Sequence, residues 1–188
     1  MSIALTRPSF AERHAAGFRQ LRFYAWSFGR SPSSMLGLAI VLLFLAVAAF
    51  GPWIAPYPLD AEGAMNLSNR LKPPSAAHWF GTDEMGNDLF SRVVLATRTS
   101  LWVGLTIVGI ATLVGVPLGV AAGYFGGWPR AVIMRITDIF LSVPGIVLAL
   151  AIVAALGAGI LNGIIALSIV WWPGYVRLVE AKALSLRN

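Results

Sequence analysis

The sequence predicts an all-α polytopic membrane protein with four transmembrane helices and both ends in the cytoplasm. Three observations carry this. Of 188 residues, 57% are hydrophobic and 12% charged, with a mean hydropathy of +0.76, against roughly 25% charged residues in soluble domains. Four uncharged stretches are long enough, or nearly so, to cross a hydrocarbon core that takes about 20 helical residues. The basic residues cluster in alternate segments between those stretches.

The four stretches are Met35 to Ile54, Leu101 to Phe125, Ile139 to Ala158 and Ile160 to Val176. None alternates apolar and polar residues, so each reads as a helix and not as a barrel strand. The last two are joined so closely that they form a tight helical hairpin. The N-terminal segment 1–34 holds five arginines against one acid. The segments at 126–138 and beyond Val176 add two and three cations. With the N-terminus inside, ten of the fourteen basic residues are cytoplasmic, as the positive-inside rule demands. Ala46-Val47-Ala48 imitates a signal-peptide cleavage site, but the long basic region and the apolar run beyond it argue against cleavage.

The organisation follows. Residues 1–34 form a cytoplasmic basic and aromatic segment, 35–54 the first span, 55–100 an extracytoplasmic loop and elbow helix, and 101–188 a core of three spans. Residues 10–30 fit equally a helix on the headgroups and an irregular leader. Pro, Asn, Ser and Gly make 55–86 irregular. Asn87 or Asp88 can then cap an amphipathic elbow helix.

The composition excludes several chemistries. The absence of cysteine rules out disulfides and thiolate sites, and two histidines do not make a histidine-rich metal centre. Neither lysine lies in a phosphate-binding glycine loop. No span holds a Ser-His-Asp set, an H-E-x-x-H motif or paired acids, so an intramembrane enzyme has little support. The acidic run Asp83 to Asp88 lacks calcium-loop spacing and reads as a structural turn. Gly115, Gly119 and Gly123 make a flat strip for close helix approach, taken here as facing a partner subunit. Pro144-Gly145 is the sharper of two proline sites for a bend that lines a cavity, the other being Pro117. Arg135 and Asp138 lie three apart on one face and are expected to pair as a structural anchor. Trp171, Trp172, Tyr175 and Arg177 suit an interfacial belt, which Pro173-Gly174 would disturb.

Together these residues resemble a family. His78-Trp79-Phe80-Gly81-Thr82-Asp83-Glu84-Met85-Gly86-Asn87-Asp88, then Ser91-Arg92 and Arg98-Thr99-Ser100-Leu101, resemble the dipeptide/oligopeptide/nickel permeases of bacterial ABC transporters, and most of all their second, C-type subunit. Gly123-Tyr124-Phe125-Gly126-Gly127, Met134-Arg135 with Asp138, Leu141 and Pro144, and Trp172 to Val179 add to the match. Asn87, Ala96 and Arg130 depart from the pattern, where Arg, Gly and Asp are usual. The resemblance implies six spans, of which four are present, the sequence stopping short of the cytoplasmic coupling helix.

It further implies half of a pathway for di- or oligopeptides or related solutes, nickel complexes and opine-like compounds among them, in the bacterial cytoplasmic membrane. The implied partners are a second permease in a heterodimer, two ATPase subunits, an extracytoplasmic solute-binding protein and the lipid bilayer, with no nucleic acid. ATP and magnesium would be bound by the ATPases, with no cofactor, metal or catalytic residue in this chain. Asp138, Pro144, Trp172 and Tyr175 are the implied pathway residues. A non-transporting scaffold or assembly subunit is the alternative.

Overall fold

The computed structural model describes Trp26, residues 28–63 and residues 65–187. The surface-helix reading of 10–30 therefore lies almost wholly outside the described residues. Two compact units divide the chain near Thr97.

In the first unit, α1 runs Pro32–Ile54. Proline at its first position costs no hydrogen bond, because that N–H has no helical partner. Its 23 residues make about 34 Å of helix, enough to span. Leu36, Ile40, Leu43, Phe44 and Phe50 are all exposed, as suits a helix whose solvent is lipid. The buried point is Gly51, which sits against the Val94 carbonyl. Two 3-10 turns, Pro58–Glu62 and Leu67–Asn69, and an antiparallel bridge between Thr82 and Asp88 shape the loop that follows.

The elbow and second span are one helix, α2, Leu89–Phe125. The sequence divides them at Ser100, but polar Arg98, Thr99 and Ser100 do not break a helix, and no Gly or Pro intervenes. Asp88 is the cap: its Oδ2 accepts the Ser91 N–H at 2.8 Å.

In the second unit, the stretch expected as one span from Ile139 to Ala158 is divided. Helix α3, Gly127–Ser142, and α4, Gly145–Leu156, meet at 83°. Proline disfavours helical backbone at the residue before it, and Val143 is extended at φ −96°, ψ 132°. The Pro144 carbonyl then starts α4 by accepting from Val147 and Leu148. Among the described residues, three helices are long and apolar enough to cross a membrane, and the bent pair makes a fourth span if counted as one.

The hairpin is as predicted. The Asn162 amide closes it by donating to the Leu156 and Gly157 carbonyls at 3.0 and 2.9 Å. Helix α5 runs Ile160–Arg187. It passes through Pro173 unbroken, contrary to the expected disturbance, and Pro173 is fully buried there; membrane helices tolerate such prolines where neighbouring groups re-satisfy the freed backbone.

The glycine strip faces the chain's own α5 and not a partner. A Cβ on Gly115 would lie 2.5 Å from Tyr175 Cβ, and one on Gly119 would lie 2.7 Å from Val179 Cβ. A Cβ on Gly123 would collide with Ala183. Small residues let the backbones touch, and van der Waals packing supplies the attraction that the hydrophobic effect cannot supply in lipid.

Candidate functional site

The site of greatest chemical interest lies where α3 meets α5. At 100° per residue, Arg130, Met134, Thr137, Asp138 and Leu141 share one side of α3. Trp128, Val132, Arg135, Ile136 and Ile139 share the other. The first side turns to α5, where Thr137 is buried. The apolar residues of the second side are exposed. A groove of about 600 Å³ opens between the helices, lined by Arg130, Met134, Asp138, Arg177 and Glu180 among others.

Two ion pairs cross this groove. Arg130 Nε donates to Glu180 Oε1 at 2.6 Å, and Arg177 Nη2 donates to Asp138 Oδ1 at 2.6 Å. They differ in kind. The Glu180 side chain is 8% exposed, whereas Asp138 and Arg177 are half exposed. An exposed pair contributes about 0–1 kcal/mol. Removing the partner of a buried carboxylate costs about 3–5 kcal/mol, because the charge is left without compensation. Asp138 thus pairs across helices with Arg177 and not with Arg135, its i−3 neighbour about 60° around α3. The local i, i+3 geometry loses to a guanidinium arriving from α5.

Beyond the groove, Phe140 meets Trp172 edge to face at 5.3 Å. A Cβ on Gly145 would lie 2.8 Å from Val170 Cγ1. Contacts to α5 therefore run along α3, through the break and into α4. Of the four implied pathway residues, Asp138 lines the groove. Pro144 is exposed at the break, Trp172 packs on Phe140, and Tyr175 turns to Gly115 on α2. Sequence patterns alone do not mark Arg130, Phe140, Arg177 or Glu180 as site residues. Helix-face arithmetic places Arg130 beside Asp138, but nothing local reveals that Glu180 answers it.

The loop motif before α2 is a second cluster. Asp83 Oδ1 accepts the Met85 and Asn87 N–H groups at 2.8 and 2.9 Å, and its Oδ2 pairs with Arg92. The Thr82 hydroxyl accepts from the Lys72 N–H at 2.8 Å and donates to the Asn69 carbonyl. Asp88 is 1% exposed. Its Oδ1 lies 3.0 Å from His78 Nδ1, and its N–H donates to Asp60 at 2.8 Å. The Ser91 hydroxyl accepts the Tyr57 N–H at 3.1 Å. Burial would raise both carboxyls. Hydrogen bonds outweigh it and hold both below the usual carboxylate value: those from Asn87, Met85 and Arg92 for Asp83, and those from Ser91 and His78 for Asp88.

Phe80 and Trp79 pack on Phe90. Gly81 has φ +74°, and Gly86 has φ +85°, where an added Cβ would collide with the Asn66 carbonyl. The stretch from Phe80 to Arg92 is thus tied together by hydrogen bonds, an ion pair and ring contacts. No group of three metal-ligating side chains occurs among the described residues. A Gly86→Ala variant is expected to lose about 1–3 kcal/mol of loop stability through left-handed strain and collision with Asn66. Hydrogen exchange of the loop amides checks this. Arg98 is exposed on α2, and Gly126 and Gly127 make the turn into α3.

The glycine seam and the broken helix fall within a region that matches a known family. Residues 115–188 match the binding-protein-dependent transport system inner membrane component, and residues 22–74 match the N-terminal transmembrane domain of oligopeptide transport permease C. Both regions are thus similar to parts of binding-protein-dependent transport permeases. The chain is 44% identical over 174 residues to a probable D,D-dipeptide transport system permease of Escherichia coli, covering 90% of this chain and 57% of that relative. It is 43% identical over 171 residues to a dipeptide transport system permease of Alkalihalophilus pseudofirmus, covering 91% and 53%. It is 41% identical over 148 residues to a glutathione transport system permease of Pectobacterium atrosepticum, covering 79% and 48%. The chain thus spans about half the length of these permeases. It is a multi-pass protein of the cytoplasmic membrane.

Proposed function

We propose that the chain is a permease subunit of an ATP-driven importer of di- or oligopeptides or related small solutes, and forms half of the translocation pathway. The observation that carries this reading is the interrupted helix at Val143–Pro144, packed on an unbroken α5 beside a charged groove. Discontinuous helices line substrate sites in transporters, and ionisable groups near membrane depth default to function. The dipeptide and glutathione permeases among its relatives support the substrate class.

On this reading the chain catalyses nothing. A second permease subunit completes the pathway, two ATPase subunits bind ATP and magnesium, and an extracytoplasmic protein delivers the solute. Asp138, Pro144, Trp172 and Tyr175 are the proposed pathway residues.

The test is uptake of a labelled dipeptide by cells lacking this chain and complemented with its full-length form. Uptake is expected to depend on the chain, and to fall about tenfold, or 1.4 kcal/mol, with Pro144→Ala or Trp172→Ala at unchanged membrane abundance. Full uptake by both variants, together with loss of complex assembly when helices are deleted, would favour a scaffold.

A further inference from the structure

We infer that Arg130 and Glu180 are a positioning pair that makes α3 follow α5, so that displacement of the cytoplasmic end of α5 bends the chain at Val143–Pro144. This rests on the importer reading.

Helix α5 has 28 residues, about 42 Å, against a hydrocarbon core of about 30 Å. Its cationic end, from Arg177 onward, therefore reaches the cytoplasmic boundary, where a cytoplasmic subunit could push on it. Along α3 the two ion pairs are eight residues apart, about 12 Å of helix. Along α5 they are three residues apart. A single contact would leave α3 free to pivot, whereas two contacts at that separation fix both its distance and its rotation.

Glu180 makes this a tie and not a loose contact. It is buried, and Arg130 supplies its ion pair, so moving α5 without α3 would strand a buried charge. Helix α4 is held differently. It meets α5 through apolar contacts, including Gly145 on Val170, with Ala149, Ile164 and Ala166 buried. Such surfaces slide by small shears, which directional charge pairs resist. The two halves of the broken helix thus answer α5 unequally, and the extended residues between them are the joint.

The experiment uses the full-length permease in its assembled transporter, with cysteines at Ala131 and Ala181, which both line the groove. One readout is cross-linking of these cysteines by a short bifunctional reagent. The other is the number of dialanine molecules imported per ATP hydrolysed. The variants are Arg130→Glu, Glu180→Arg, the double exchange and Arg130→Lys.

Each single reversal is expected to lower cross-linking several-fold and imported peptide per ATP about tenfold, with the double exchange and Arg130→Lys recovering most of both. Cross-linking that the exchange does not restore overturns the pair as a tie. A normal transport ratio in single variants whose cross-linking has fallen makes the pair merely structural and overturns the coupling role. A wild-type complex that hydrolyses ATP but imports no peptide overturns the importer reading and the coupling role with it, while the cross-linking series still judges the tie.

Discussion

Replacing Gly119 with leucine is expected to open the seam between α2 and α5. A Cβ there would lie 2.8 Å from the Val176 carbonyl and 2.7 and 3.0 Å from two carbons of Val179. Neither neighbour can swing away, because one is backbone and the other is β-branched and stiff at χ1. Leucine adds three further carbons to a position already too small for one. Overpacking of this kind costs about 1–3 kcal/mol where the surroundings can shift. Here the cost is expected at the upper end, because two helix backbones must separate. Gly109 on the same helix has nothing within 4 Å of its Cβ position. Gly109→Leu should stay within about 0.5 kcal/mol of wild type. Thermal unfolding of the purified full-length protein compares the two, and equal midpoints would refute the seam.

The strip itself was legible, because a four-residue glycine period has one geometric meaning on a helix. Its partner was not. Spacing gives the face and says nothing of what covers it, and here α5 does. The same limit governs the charges. Arg135 and Asp138 satisfy the local rule for pairing, yet Asp138 takes Arg177, 39 positions away. Local periodicity reports neighbours on one helix, while ion pairs are decided by which helices meet.

Prolines divide along the same line. Pro144 breaks a helix and Pro173 does not. The residue type is identical, but Pro173 lies buried in the α5 seam, whereas Pro144 and Val143 are exposed. Burial alone does not decide the outcome, because Pro52 and Pro117 are exposed and lie within the unbroken α1 and α2.

Asp88→Ala is the second substitution expected to have a large effect. This carboxylate caps α2 through the Ser91 N–H and lies beside His78, whose ring meets Tyr57 at 4.9 Å. Truncation removes a helix cap and leaves buried donors without an acceptor, a loss of about 2–4 kcal/mol. Glu84→Ala, at an exposed neighbour, should change little.

Acid tests the same group. A carboxyl held below its unfolded value of about 3.9 adds stability that is complete above that value and disappears as pH falls through the folded one. Asp83 behaves alike. Hydrogen-exchange protection of the loop amides, corrected for intrinsic rates, should therefore be level from about pH 7 to 5 and fall below about pH 4. In Asp88→Ala the protection should be lower throughout, and the acid-dependent drop smaller, because only Asp83 remains to supply it. An undiminished drop in that variant would mean that Asp88 does not stabilise the loop through its charge. The loop would then owe its order to Asp83 and the backbone turns around Gly81 and Gly86.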